Sequence, residues 1–161
     1  MANIQTRLAI ALAVTWIAGS AGIPPCRAQT GDVAVAVNQN NPVDHLSIQE
    51  VRQIFVGEKR SWAGGSPIKV FVRAPGARER VVLLKLLGMS ESEYKRHWTV
   101  AVFRGEVPSE PVALFSNGMQ KEAIAIYPGA VALVNVQDVK AGMKVVRVDG
   151  HMPGEAGYPF N

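Results

Sequence analysis

The residue pattern with the clearest chemical use in this chain is an arginine that closes a short β-branched run and is followed at once by a turn and a helix start. Ile68 to Val72 is the run, Arg73 closes it, Ala74-Pro75-Gly76 turns the chain, and Ala77, Arg78 and Glu79 open an apolar stretch that reaches Leu87. A helix N-terminus presents backbone N–H groups without intrahelical acceptors, and an arginine adds a planar fork of donors, so such a loop suits an anion. Arg73 is the first candidate ligand contact, with Gly76, Ala77 and Arg78 beside it. Glu79 stands in the first helical turn, where a carboxylate favours the helix N-terminus on its own account. Asn38 ends an earlier apolar run and is followed by Asn40, Asn41 and Pro42. Its amide is a further candidate contact if that run ends at the same sheet edge as Arg73; asparagines before a proline also make turns without any ligand. Ser116-Asn117-Gly118 offers a second helix start, and a plain N-cap explains Ser116 equally well.

Other chemistry finds little support. His45, His97 and His151 lie in separate segments without the spacing of a metal cluster. No nucleophile elbow, zinc-protease helix motif or dinucleotide-type glycine series is present. The reading is a binding protein, not an enzyme, with no cofactor and no metal implied. Trp62, Tyr94 and Trp98 suit the core or its edge, with a partner-binding face as the other reading.

The elements that must position these residues follow from periodicity and caps. Val33, Val35 and Val37 alternate with alanines, which predicts a first strand covered on both faces. Ser47 with Glu50, and Ser90 with Glu93, are capping boxes that open helices. Gly57 and Gly88 are placed to end the helices before them. Strands are expected at Ile68 to Val72, Ala130 to Val134 and Lys144 to Val148, and helices at Ala77 to Leu87, from Ser90 on, and from Ser116 to Tyr127. This alternation predicts an α/β three-layer sandwich with a mostly parallel mixed sheet, a single domain over residues 29–148, and a loosely held tail over residues 149–161.

The first thirty residues read as an export signal. Arg7 precedes an uncharged run from Leu8, which breaks at Gly19 and stops at Pro24-Pro25, short of the roughly 20 apolar residues a membrane span needs. Cleavage is expected after Ala28, which makes residues 1–28 a signal peptide and places the protein in the periplasm. Cys26, the single cysteine, leaves with it, so no intramolecular disulfide supports the fold. Cleavage removes two arginines and no acid, lowering the formal charge from +4 to +2, which does not argue for a nucleic-acid partner.

Asn38 to Pro42, Leu46-Ser47, Arg52, Ile54-Phe55, Gly57, Trp62, Gly65, Ile68 and Val70 to Arg73, followed by Pro128-Gly129-Ala130-Val131, form an ordered series. The series resembles the phosphate-binding proteins of bacterial ABC transporters, over roughly residues 32–148. The resemblance implies a type II periplasmic binding protein, in which solute lies in a cleft between two lobes, and this chain looks like a single lobe. In that family an arginine precedes a Gly-Ser-Gly-Thr loop that holds phosphate. Here Arg73 and Gly76 persist, while Ala77, Arg78 and Glu79 replace the serine, second glycine and threonine. The resemblance therefore implies phosphate or another oxyanion as ligand, with Arg73 and Gly76 carried over; the residues themselves add Ala77, Arg78 and Asn38 as candidate contacts. An ABC permease, a sensor, a second-lobe protein or a second copy in a homodimer would be the partner. The alternative is an interaction module that takes no part in transport and contacts a sensor, transporter or envelope partner.

Overall fold

The computed structural model of the protein describes residues 32–160, so the expected signal peptide lies outside the described residues. Strand β1, Val33–Asn38, is buried at every position, as its valine and alanine faces require. Helix α1, Ile48–Phe55, opens on the full Ser47/Glu50 capping box and packs Val51, Ile54 and Phe55 inward. Lys59 and the Ser47 N–H donate to the Glu50 carboxylate and hold its pKa below the usual range. Gly57 follows the Val56 cap with φ +83°, the left-handed conformation that glycine adopts freely.

Strand β3, Lys69–Arg73, leads into helix α2, Arg78–Leu87, which ends at Gly88 with φ +68°. Helix α3, Glu91–Phe103, carries the second capping box and buries Tyr94, Trp98 and Ala101. Helix α4, Asn117–Ile126, is capped by Ser116 and precedes strand β5, Ala130–Asn135. Two pieces of strand were not expected, β2, His45–Leu46, and β4, Val112–Leu114, and a break at buried Val146 divides the last expected strand into β6, Met143–Val145, and β7, Arg147–Val148.

The main sheet has the order β4-β3-β5-β1-β6, and β2 pairs with β7 in a small parallel sheet. β3 runs parallel to both β4 and β5, whereas β1 runs antiparallel to β5 and β6. Four strands therefore share one direction and β1 alone opposes it, the mixed but mostly parallel sheet expected. One face packs Val33, Val35, Val131 and Leu133 with α1, α2 and α3, and the other packs Ala36, Phe71, Ala132 and Val134 against α4.

Helix α2 packs Leu83 and parts of Val82, Leu84, Leu86 and Leu87 on the core, buries Glu79 and Arg80, and leaves Val81 57% exposed. One expectation needs correction: the segment after Asp149 is packed, not loosely held. Tyr158 and Phe160 are buried, the Tyr158 hydroxyl donates to the Val33 carbonyl at 3.0 Å, and Val33 N–H donates to the Phe160 carbonyl at 3.2 Å. The aromatic pair shields the start of β1, and burial raises the Tyr158 pKa.

Candidate functional site

β3, β4 and β5 end at one edge of the sheet, which places Arg73, Leu114 and Asn135 there. Open α/β sheets present ligands at the carboxyl ends of their strands. Ala74 to Ala77 forms the turn above that edge, closed by a hydrogen bond from Ala77 N–H to the Ala74 carbonyl, with Gly76 at φ +88°. That φ sits at the third position of the turn, where a type II geometry demands glycine. Ala77 is the N-cap of α2 and has no side chain to cap it. The first intrahelical acceptor is used by Val81 N–H, so the N–H groups of Arg78, Glu79 and Arg80 have no acceptor among the described residues.

Arg73 lies beside these donors. Its Nη1 donates to the Leu114 carbonyl at 3.4 Å, and its Nε stands 3.8 Å from Glu79 Oε1. The two side chains are only 12% and 4% exposed, so water does little to screen the pair. Glu79 therefore does not act as the simple first-turn carboxylate expected, since it is turned inward toward Arg73. Arg80, also buried, donates to both oxygens of Glu91 at 3.0 and 2.5 Å and covers the Tyr94 ring at 4.3 Å. Arg80 holds the Glu91 carboxyl below its ordinary pKa, and burial pushes the Tyr94 hydroxyl up to about 12. These contacts fasten α2 to α3. Arg78 is half-buried and has no ion pair among the described residues.

Asn38 is not brought to this edge, contrary to the expectation from sequence. Because β1 runs against β5, Val33 lies opposite Asn135 and Val37 opposite Val131, which puts Asn38 level with Ala130 and Lys69, roughly 13 Å along the strands from Arg73. Its amide donates to the Ile124 and Ala125 carbonyls at 2.8 and 2.9 Å, and its oxygen accepts from Asn40 N–H at 2.9 Å. Asn38 thus closes the C-terminal end of α4. Asn41 is likewise buried and accepts from Val43 N–H at 3.0 Å.

Ser116 and Asn117 do stand at the Arg73 edge, since they follow β4 directly. The Ser116 hydroxyl accepts from Met119 N–H, and the Asn117 amide donates to Asp138 at 2.8 Å, so both are engaged in capping and tethering. Trp62, Tyr94 and Trp98 are buried in the core. Among the described residues no group of three or more His, Cys, Asp or Glu is placed to hold a metal ion. Two contributors to the site were not legible in the sequence. The Leu114 carbonyl was hidden because β4 was, and no spacing rule signals that two adjacent charged residues, Glu79 and Arg80, are both buried.

The fold matches part of several solved proteins. The structure is similar to an ABC-type phosphate transport receptor from Vibrio cholerae, with a TM-score of 0.61 and 22% identity over 76% of this chain and 48% of that one. A phosphate ABC transporter substrate-binding protein with bound phosphate from Clostridium perfringens matches with a TM-score of 0.62 and 20% identity over 76% and 47%. A phosphate-binding protein from Stenotrophomonas maltophilia matches with a TM-score of 0.60 and 20% identity over 76% and 40%. The chain spans about half the length of these proteins. Residues 18–157 match the family described as the PBP superfamily domain, which takes in the main sheet, the four α-helices among the described residues and the turn at Arg73, and the chain belongs to that family.

Proposed function

We propose that this chain is an exported, periplasmic solute-binding lobe that receives an anionic group, phosphate or another oxyanion, at the N-terminus of α2 beside Arg73. The observation that carries this reading is the uncapped start of α2. Three backbone N–H groups stand without acceptors at the start of the helix that follows Arg73, whose guanidinium reaches the Leu114 carbonyl and the first-turn residue Glu79. Such a terminus carries a partial positive charge of about half a unit, and Arg73 adds the charged donor Nη2, which has no partner among the described residues. The phosphate-bound relative from Clostridium perfringens shares the fold and supports the choice of phosphate as the first ligand to test. The role is binding and not catalysis, and the partner is an ABC permease, a sensor, a second-lobe protein or a second copy.

Titration calorimetry tests this. Phosphate is expected to bind, and Arg73→Ala is expected to weaken it by roughly ten- to a hundredfold, as loss of a charge-assisted hydrogen bond does. Equal binding by the variant, or no heat from folded protein, would reject the reading. A second reading, an interaction module, is favoured by the apolar side chains exposed at the same edge: Phe115 at 73%, Met119 at 43% and Val136 at 39%.

A further inference from the structure

The loop at Arg73 contains its own anion. Glu79 is the second residue of α2, its side chain is 4% exposed, and its Oε1 has no hydrogen-bond partner among the described residues. Arg73 Nε is likewise buried and without a hydrogen bond. The 3.8 Å between them is too long for a hydrogen bond, so the two groups interact as charges in a poorly screened place. The carboxylate also lies against the positive end of α2, where an incoming anion would draw its stabilisation.

Glu79 stands on the Nε side of the guanidinium and the Leu114 carbonyl on the Nη1 side. Nη2 and the N–H groups of α2 remain for a ligand, so the carboxylate does not fill the seat but lowers its charge. Arg73 and Glu79 cancel, which leaves the helix terminus, about half a positive unit, and half-buried Arg78 to meet the ligand. A second negative charge on the ligand gains little there and is repelled by Glu79.

We infer that Glu79 is the charge-selecting residue of this seat, a resident counter-anion that fits the loop to singly charged oxyanions such as sulfonate or carboxylate groups and disfavours doubly charged ones. The inference rests on the anion-binding reading above and adds to it which anions are taken. Phosphate binding would then be through its singly charged form.

Sulfate and methanesulfonate separate charge from shape, because both present tetrahedral sulfur oxyanions and neither titrates near neutral pH. In calorimetry on the wild-type protein, methanesulfonate is expected to bind at least as tightly as sulfate. Glu79→Gln keeps the shape and removes the charge, and should improve sulfate relative to methanesulfonate by about tenfold or more. Glu79→Thr should shift the ratio the same way, with both variants checked for folding by circular dichroism and thermal melting. A role confined to positioning Arg73 would change both affinities together and leave their ratio alone. An unchanged ratio in folded variants that still bind would overturn charge selection while the anion seat stands. Tenfold tighter sulfate binding by the wild type would overturn it whether or not the variants fold. No binding of either anion by wild type or variants would overturn both this inference and the reading beneath it.

Discussion

Gly129→Ala is expected to destabilise the protein by about 3–5 kcal/mol, combining overpacking with lost backbone hydrogen bonds. A Cβ built at Gly129 would lie 1.9 Å from the Pro67 carbonyl oxygen and 3.2 Å from its carbon. Both contacts are backbone, so no side chain can rotate away. The chain must separate there, and Gly129 is tied to the same neighbour, since its carbonyl accepts from Lys69 N–H at 2.9 Å and from Trp62 Nε1 at 3.2 Å. Separation also strains the β3–β5 pairing at Lys69↔Ala130. Against a typical total stability of about 5–15 kcal/mol, the variant should melt far earlier or fail to accumulate. Urea denaturation checks this, and a loss below 1 kcal/mol would show that the close approach at Pro67 is relaxed in solution.

Asn38→Ala is the second large effect, and it separates structure from function. The substitution would strand the Ile124 and Ala125 carbonyls and the Asn40 N–H, in a position where Asn38 is 2% exposed. Unsatisfied buried groups of this kind cost about 1–3 kcal/mol each when water cannot replace the partner, so a net loss of about 2–4 kcal/mol is expected. Anion affinity of the folded fraction should stay within about twofold, because Asn38 lies at the opposite edge from Arg73. Stability and affinity can be measured on one preparation, by urea denaturation and calorimetry. A tenfold loss of affinity with the fold intact would return Asn38 to the ligand.

The contrast between Asn38 and Arg73 marks where the sequence stops being informative. Alternation shows that Val33 to Val37 is a buried strand, and both capping boxes place helix starts to the residue. Strand direction has no such local signature. β1 opposes its neighbours because of how the chain returns over the sheet, and that return decides at which edge Asn38 ends. β4 was hidden for a different reason. It has three residues, with Val112 and Ala113 exposed, too short to show alternation. The tail likewise carries no periodicity, and the burial of Tyr158 and Phe160 depends on their contacts with the start of β1. In α2 the polar residues Glu79 and Arg80 occupy the inward face because Arg73 and Glu91 pair with them, an arrangement that runs against hydrophobic patterning. The turn and helix start after Arg73 were legible, and Glu79 was visible as a first-turn carboxylate and as a departure from the resembled loop, but not as a buried neighbour of Arg73.

Amide NMR titrated with phosphate reads directly whether an anion sits on the α2 N-terminus beside Arg73. Saturable shifts are expected at the N–H groups of Gly76 to Arg80 and at the Arg73 side chain, with Asn38 to Asn41 unmoved. Saturable shifts centred elsewhere, or none at phosphate concentrations that leave the protein folded, would place the anion elsewhere or nowhere on this chain.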